Sequence, residues 1–380
     1  MKVLVIPSWY PNEADPLWGN YFIKQAEALA EYADISFMNI NRVGLREFNK
    51  ILKYKKQDGY NDKKYKFKFY EKSILNVKSI SVDASYKHYQ KMAYKAYKDM
   101  IKYTGKPDCI LVESSLPAGL AALYISNKEG IPYVLHEHSF DVLNNNIYSK
   151  YSKEVVSNAN CVMAVNEKIY NKLKEWNKNV ELMPNYIDTK KFDVEDKKKD
   201  VFTLLSICNF YKVKALEILL EALARVIYED GIKDIRLDIV GQGEYKQYYE
   251  DISNNLKLQD YVNFIGYVPN EEIPNYLARS HVLCVSSRIE TFGIPIVEAF
   301  ANGKPVITTE CGGPNILVDE SRGIKVPVDD IDSYKEAIIN IKKNYKKYNS
   351  KDIKKYAHNY DKEVICKKIL DICKKSIDKQ

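Results

Sequence analysis

Two glutamates separated by seven residues, Glu290 and Glu298, flank a short turn in the sequence ETFGIPIVE. The preceding apolar run, HVLCV, predicts a β-strand. The segment IPIVEAFANG predicts a helix, because Pro295 suits a first helical turn and Gly303 suits a helix end. The glutamates therefore lie where a strand leads into a helix, and ligands of open α/β sheets bind at such loops.

The turn also offers backbone N–H groups at Phe292, Gly293 and Ile294, at the positive end of the predicted helix dipole. Such a helix start binds phosphate, and a carboxylate beside it accepts hydrogen bonds from sugar hydroxyls. For the isolated pair a second interpretation stays open. In that interpretation Glu298 only favours the helix dipole and Glu290 is a surface residue.

The rest of the sequence must supply the sheets that carry such loops. Short β-branched runs alternate with helical stretches from KVLVI to CVMAV, and the alternation restarts at FTLLSI after Asp188. Two rounds of strand and helix predict two doubly wound α/β domains with parallel sheets, facing a cleft. We place them at residues 1–187 and 188–358, and expect the one-sided apolar helix at 359–380 to pack back on the first domain.

Positive charge is concentrated in one region of the first domain. Residues 41–106 hold 18 Lys and Arg against 6 Asp and Glu, whereas the net charge of the whole chain is +7. Aromatic residues interleave with these lysines, a pattern typical of surfaces that bind an anionic membrane, a nucleic acid or a phosphorylated acceptor. An ordinary solvated lysine-rich face explains the pattern equally well.

The N-terminal stretch MKVLVIPSWYP has an apolar run too short for a signal peptide or a membrane span, and no later segment predicts a span. The seven cysteines are scattered, mostly in apolar stretches, with neither zinc spacing nor a disulfide framework. These patterns predict a cytoplasmic protein with buried thiols.

The Glu-x7-Glu pattern of Glu290 and Glu298 resembles the motif of family 4 retaining glycosyltransferases, which have the GT-B fold of two Rossmann-like domains. Four further stretches resemble segments of that family in the same order. They are PSWYPNEADPLWGNYFIKQAEAL (7–29), IPYVLHEHSF (131–140), MPNYIDTKKF (183–192) and CNFYKVKALEILLEAL (208–223). The resemblance covers most of the chain except the basic region at 41–106.

The resemblance implies donor-binding roles in the second domain. The lysine that matches Lys214 contacts the donor diphosphate in such enzymes, and the glutamate that matches Glu298 holds the ribose hydroxyls. Glu290 would contact the transferred sugar, and residues 292–294 would offer backbone amides. Charge develops on the leaving diphosphate as the sugar bond breaks, so a lysine and oriented N–H groups would lower the barrier.

In the first domain, the resemblance implies that Gly19 lets the N-terminal loop approach the phosphates and that His138 faces the sugar and the reacting centre. It also implies front-face transfer with retention, assisted by the leaving phosphate and without a metal or other cofactor. Retaining glycosidases instead use two carboxylates about 5 Å apart, and the residues alone leave that choice open.

One departure from the family concerns the diphosphate. Many members have Gly-Arg where this chain has Cys208-Asn209, so an arginine that would pair with the diphosphate is missing. We keep Asn209 among the donor-binding residues. Lys214, or Arg288 beside the glutamate loop, would then carry more of that charge.

Two patterns contain residue types that bind metal ions, but neither predicts a metal site. His136 and His138 point the same way along a strand, yet no third ligand is evident in the sequence, so we predict no metal there. Asp330 and Asp332 have carboxylate spacing, but they precede a helical stretch. We therefore predict that Asp332 or Ser333 caps that helix.

Three turns complete the set of candidates. The Gly-Gln-Gly sequence at 241–243 lacks the third glycine of a dinucleotide fingerprint and favours a tight turn over NAD binding. The Gly-Gly-Pro sequence at 312–314 is either only a turn or, by the resemblance, a loop near the donor phosphates. Tyr267 and Val268 follow the strand VNFIG and either cradle the base or form a turn.

These patterns and the resemblance together predict a cytoplasmic glycosyltransferase. It would move a hexose or N-acetylhexosamine from a nucleoside diphosphate sugar to a glycan or lipid-linked acceptor, in bacterial surface polysaccharide or glycoconjugate assembly. The basic region would bind the acceptor or the inner membrane face, and nucleic acid is not an expected partner. The alternatives are a nucleotide-sugar epimerase of the same architecture and a nucleic-acid-binding protein on a degenerate donor fold. The donor base, sugar, acceptor, linkage and oligomeric state stay open.

Overall fold

The structure is a computed structural model that describes residues 1–12, 18–44, 55–76, 81–140, 143, 148–195, 197 and 200–379. It divides into two compact units. Unit 1 contains Met1–Pro184 and Ile365–Gln380, and unit 2 contains Asn185–Val364. The chain therefore changes unit after residues 184 and 364, where the sequence placed the changes after 187 and 358.

The sheet of unit 1 contains the strands β1 (Lys2–Pro7), β2 (Asp34–Gly44), β3 (Gly59–Asn61), β4 (Lys68–Asn76), β5 (Cys109–Glu113), β6 (Tyr133–Glu137), β7 (Cys161–Ala164) and β8 (Val180–Leu182). Their order across the sheet is β3-β4-β2-β1-β5-β6-β7-β8. All the pairs are parallel except β3 with β4. Parallel strands bring their carboxyl ends to one edge, where the register places Glu113 beside His136.

Helices cover this sheet and bury its central strands. The helices are α1 (Asn20–Leu29), α2 (Val82–Thr104), α3 (Ala118–Glu129), α4 (Ser149–Asn158) and α5 (Glu167–Lys174). The strands CILVE and CVMA are buried along their whole length, as expected for a parallel sheet covered on both faces.

Unit 2 has a smaller sheet of the same kind. Its strands are β9 (Phe202–Ile207), β10 (Ile235–Val240), β11 (Val262–Gly266), β12 (Val282–Val285), β13 (Val306–Thr309) and β14 (Gly323–Val326). The order is β11-β10-β9-β12-β13-β14, and all these pairs are parallel. The loops after β9 and β12 therefore lie side by side at the carboxyl edge.

The helices of unit 2 are α6 (Leu216–Tyr228), α7 (Lys246–Asn255), α8 (Ile273–Arg279), α9 (Ile294–Ala301), α10 (Pro314–Leu317), α11 (Ile331–Lys343) and α12 (Ser350–Ala357). The last helix, α13 (Lys362–Asp378), begins in unit 2 and belongs to unit 1 from Ile365 onward. Its apolar stripe is buried, including Ile365, Ile369 and Ile372.

The cap of α11 differs from the sequence prediction. The Asp330 side chain accepts a hydrogen bond from the Ser333 amide at 2.9 Å, so Asp330 is the N-cap rather than Asp332 or Ser333. The helix begins two or three residues earlier than expected, because the Asp330 oxygen reaches the third helical amide.

In the part of the chain that the structure describes, no helix is both long and apolar enough to span a bilayer. All seven cysteines are free thiols, and six of them are buried. Cys208 is partly exposed by surface area, yet burial raises the pKa of its thiol to about 12. A thiol with that pKa is protonated at neutral pH and is a poor nucleophile.

Candidate active site

The Lys214 ammonium and the Glu290 carboxylate form a close ion pair in unit 2, with 2.6 Å between Nζ and Oε2. Each side chain keeps 20% of its surface exposed, so solvent reaches the pair. Burial favours the neutral amine, but the charge and hydrogen bond of Glu290 outweigh it and raise the pKa of Lys214. The lysine is therefore a fixed positive charge.

Lys214 lies in the loop after β9, where contacts to its own backbone hold it in place. Lys212–Lys214 form a 3₁₀ turn, and Ala215 follows with a φ of 47° before α6 begins. Ser286 Oγ donates a hydrogen bond of 3.0 Å to the Lys214 carbonyl. Because Ser286 directly follows β12, this contact ties the lysine to the loop that carries Glu290.

The Gly312-Gly313 turn holds the Glu290 loop from the side of β13. Gly312 forms an isolated parallel bridge with Glu290, and the Gly313 amide donates to the Glu290 carbonyl at 2.8 Å. A Cβ on Gly313 would lie 2.5 Å from Phe292 Cα, so a larger residue would have to move the loop. Gly312 and Gly313 therefore pack against the predicted phosphate loop, and their proximity to donor phosphates stays a prediction.

Helix α9 begins directly after this loop. Gly293 is its N-cap with a φ of 98°, and Pro295 lies in the first turn, as predicted. The first amides of a helix have no acceptor within the helix, so the amides of Gly293 and Ile294 stay the predicted donors to a phosphate. Phe292 is 2% exposed, so the contact of its amide with a ligand stays a prediction. Glu298 is partly buried one turn into α9.

The Arg288 guanidinium is engaged by groups of the protein. Its Nη2 lies 2.9 Å from Glu217 Oε1 and 2.7 Å from Asp329 Oδ1, and its Nη1 donates to the Lys212 carbonyl at 3.1 Å. Arg288 thus ties the loop after β12 to α6 and to the loop before α11. Its predicted contact with a diphosphate stays a prediction, since these partners occupy the guanidinium.

The other predicted donor residues lie on neighbouring loops of unit 2. Asn209 is exposed after β9, Tyr267 is 55% exposed after β11, and Val268 is buried in the core. The Gly-Gln-Gly turn after β10 packs against the first of these loops, because a Cβ on Gly241 would lie 1.8 Å from the Cys208 carbonyl oxygen. This sequence therefore brings the loop after β10 into close contact with the loop after β9, and its preference for a turn over NAD binding stays a prediction.

In unit 1 the predicted residues Gly19 and His138 are both associated with α1. Gly19 is the N-cap of α1 with a φ of 75°, and a Cβ there would lie 2.5 Å from the Trp9 carbonyl. The His138 ring contacts Phe22 of α1, with ring centroids 5.1 Å apart. Glycine thus permits the loop after β1 to close on the helix that contacts the histidine.

A buried carboxyl group, Glu113, joins His138 to a second histidine. Glu113 Oε2 lies 2.8 Å from His138 Nε2 and 3.7 Å from His136 Nδ1. Burial raises the pKa of Glu113 to about 7 and lowers the pKa of His136 to about 3. His136 Nε2 donates to the Met183 carbonyl at 2.9 Å, so Nδ1 is the acceptor nitrogen of the neutral ring.

Sequence reasoning missed Glu113, although a signal was present. The residue ends β5, and β5 pairs in parallel with the strand of His136, which brings the two side chains to one edge. A third potential ligand therefore lies beside the two histidines, although none was evident in the sequence. Potential ligand atoms of Glu113, His136 and His138 all lie within 4.8 Å of one another. The absence of a metal stays a prediction.

Two families match the chain. The family described as "Glycosyl transferases group 1" matches residues 187–360, and "Glycosyltransferase Family 4" matches residues 64–191. The second match includes part of the basic region at 41–106, which the sequence resemblance had left out. Together the matches include His138, Lys214, Glu290 and Glu298.

Individual proteins agree with these matches. An uncharacterized glycosyltransferase from Methanocaldococcus jannaschii is 28% identical over 258 residues, covering 66% of this chain and 70% of that protein. A putative teichuronic acid biosynthesis glycosyltransferase from Bacillus subtilis is 25% identical over 270 residues, covering 66% of this chain and 65% of that protein.

Among solved structures, HepE from Anabaena in complex with UDP is similar with a TM-score of 0.71 at 17% identity. The likeness covers 98% of this chain and 99% of that one. At this identity the comparison shows the fold alone. It confirms the predicted GT-B fold of two parallel-sheet α/β domains.

Proposed function

This chain belongs to the family 4, group 1 glycosyltransferases, and we propose that it moves a hexose or N-acetylhexosamine from a nucleoside diphosphate sugar to a hydroxyl group of a glycan or lipid-linked acceptor. The observation that carries this proposal is the Lys214–Glu290 ion pair, held next to the start of α9 by the Gly312-Gly313 turn. The similarity to a teichuronic acid glycosyltransferase supports a role in bacterial surface polysaccharide or glycoconjugate assembly.

Each of these groups in unit 2 has a task in the proposed reaction. Lys214 and the amides of Gly293 and Ile294 stabilise the negative charge that develops on the departing diphosphate. Glu290 accepts hydrogen bonds from the transferred sugar once the diphosphate competes for the lysine. Glu298 accepts hydrogen bonds from the ribose hydroxyls. The partial exposure of the ion pair supports this exchange of partners.

We further propose that the transfer retains the anomeric configuration and needs no metal ion. Lys214 and the helix start supply the positive groups that a metal ion would otherwise bring to the diphosphate. Retention would follow from attack on the face that the leaving phosphate occupies, with the phosphate accepting the acceptor proton.

A transfer assay tests the proposal. The protein is incubated with UDP-, GDP- and ADP-sugars and with membrane and glycan extracts as acceptors, with and without EDTA. We expect one donor to lose its sugar to an acceptor at a rate that EDTA does not change. NMR of the product should show that the anomeric configuration of the donor sugar is retained. Conversion of the donor sugar without any acceptor would instead indicate an epimerase, and an inverted product would refute retention.

The acceptor side of the proposal concerns the basic face of α2. Its exposed lysines recur at helical spacing, opposite a buried face of tyrosine, alanine and methionine. They are Lys87, Lys91, Lys95, Lys98 and Lys102. Lys98 and Lys102 also pair with Glu129 and Asp99. We propose that this stripe binds the anionic inner face of a membrane, where each lysine contributes about 1 kcal/mol.

Vesicle sedimentation tests the membrane role. We expect the chain to bind phosphatidylglycerol vesicles but not phosphatidylcholine vesicles, with binding weakened by salt and by the combined Lys87, Lys91 and Lys95→Gln changes. The matched control changes three exposed lysines of unit 2, Lys346, Lys347 and Lys351, to Gln. Equal losses in both variants would refute a specific stripe, and tighter binding to RNA than to vesicles would favour a nucleic-acid partner.

A further inference from the structure

The two oxygens of the buried Glu113 carboxyl differ in their polar neighbours. It is 1% exposed at the end of β5, and its Oε2 reaches the His138 ring at 2.8 Å. Its other oxygen, Oε1, is buried and has no hydrogen-bond partner among the described residues. Oε2 lies 3.7 Å from the His136 ring nitrogen, farther than from His138. The contact with His138 is therefore the stronger of the two.

His138 is held on its other sides as well. Its backbone amide donates to Glu137 Oε1 at 3.0 Å, and its ring meets Phe22 and Tyr21 of α1 with centroids 5.1 and 5.7 Å away. The ring of His136 lies 4.1 Å from it by centroids. These contacts restrict the translation of the imidazole, and the bond to Glu113 fixes its rotation.

We propose that Glu113 is a positioning residue for His138. The carboxyl shares one proton with Nε2, which sets the tautomer and the orientation in which the imidazole meets the transferred sugar. This inference rests on the proposed function, because it assumes that His138 faces the reacting centre. No bond is made or broken at Glu113 itself.

The neutral His136 ring supports this arrangement. Its Nε2 donates to the Met183 carbonyl, and its Nδ1 lies 3.4 Å from the Gln25 amide nitrogen, so both nitrogens have polar neighbours. His136 therefore adds no positive charge that would favour the ionised form of the Glu113 carboxyl. The burial of a carboxyl without a cation is costly, and such an arrangement is typical of a functional site.

Kinetics test the consequence for catalysis. In Glu113→Ala we expect kcat to fall by about tenfold to a hundredfold, because the imidazole loses its buried hydrogen-bond partner, with the KM for the donor unchanged. Glu113→Gln keeps a polar group within reach of Nε2, so it should recover part of kcat. A rise in KM with kcat unchanged, or Gln no better than Ala at equal stability, would overturn the proposal.

Side-chain NMR of the ¹⁵N-labelled chain tests the positioning without any substrate. We expect His138 to show one tautomer in the wild type and in Glu113→Gln, and a mixture in Glu113→Ala. The matched control is Glu71→Gln, which alters a buried carboxyl bonded to Asn39 at 2.9 Å in the same sheet and should leave the His138 signals unchanged. Unchanged His138 signals in Glu113→Ala would overturn the proposal.

Metal analysis of the purified chain completes the test. Zinc retained at one ion per chain in the wild type and lost in Glu113→Ala would overturn the proposal, because the three side chains would then be ligands. An inactive wild type with the expected NMR result would refute the proposed function and leave the Glu113–His138 contact established.

Discussion

The two candidate sites occupy the same edge of their sheets, beyond the carboxyl ends of parallel strands, but they differ in charge. In unit 2, Lys214 and Glu290 are partly exposed and oppositely charged. In unit 1, Glu113 and His136 are 1% and 0% exposed, and burial drives each toward its neutral form. Sheet topology thus brings polar residues together in both units, and solvent exposure decides whether they are charged.

This difference suits two different tasks. An exposed ion pair can exchange one partner for a charged ligand, since solvent lowers the cost of separating the charges. Rearranging a buried cluster costs more free energy, because its polar groups would lose partners where water cannot replace them. Such a cluster therefore fixes the geometry of the side chain that it contacts. We therefore propose ligand binding for the Lys214–Glu290 pair of unit 2, called the open pair. We propose positioning for the buried cluster of Glu113, His136 and His138 in unit 1, called the closed cluster.

The largest expected effect comes from removal of the open pair's cation. Lys214→Ala should lower turnover on the order of 10²–10³-fold, because the charge that stabilises the departing diphosphate is lost. Steady-state transfer kinetics measure the change. Lys212→Ala is the matched control, since Lys212 is an exposed lysine of the same 3₁₀ turn. Similar losses in both variants would mean that general positive charge, rather than the ion pair, matters.

Burial of Glu113 in the closed cluster should make the free energy of unfolding depend on pH. The folded chain keeps the Glu113 proton up to about pH 7, whereas the unfolded chain releases it near 4.5. The stabilisation by the neutral carboxyl is therefore complete below pH 4.5 and is lost as the pH rises to 7, roughly 3 kcal/mol in all. His136 changes stability in the opposite direction, because its folded pKa is lowered.

Urea denaturation of the wild type and Glu113→Gln measures this loss. The free energy of unfolding of the wild type should fall relative to the variant between about pH 4.5 and 7, and His136 cancels because both chains contain it. Glu154→Gln, at an exposed position, should parallel the wild type. Parallel curves for Glu113→Gln would show that the carboxyl is not held neutral by the fold.

A smaller effect on stability and donor binding is expected at Gly313, which packs against the loop that carries Glu290. Gly313→Ala places a Cβ 2.5 Å from Phe292 Cα, so it should cost about 1–3 kcal/mol of stability and weaken donor binding by moving Glu290. Gly130→Ala is the control, because its Cβ would meet nothing within 4 Å. Both variants lose stability through strain or overpacking, and only Gly313→Ala should lose donor affinity. Normal donor binding in Gly313→Ala would refute the role of the turn.

Much of this architecture could be predicted from the sequence because the patterns involved are local. Alternating strands and helices predict the two parallel sheets, and Pro295 marks the first turn of α9. The resemblance named Lys214 and Glu290, but their distance of 2.6 Å depends on β9 and β12 being neighbours, which the sequence does not state.

Contacts between distant segments escaped prediction for the same reason. Arg288 looked available for a phosphate, yet Glu217 reaches it from α6 and Asp329 from the loop before α11. Glu113 reads as the last residue of an apolar strand, and only strand pairing places it beside His136. Such partners follow from sheet order rather than from spacing along the chain.

The most direct test of the central claim is a thermal-shift experiment with UDP-, GDP- and ADP-sugars on the wild type, Glu290→Ala and Glu298→Ala. We predict that one donor raises the melting temperature of the wild type and that either substitution removes this rise. A folded wild type that responds to no donor, or a shift that survives both substitutions, would contradict the assignment of donor binding to this loop.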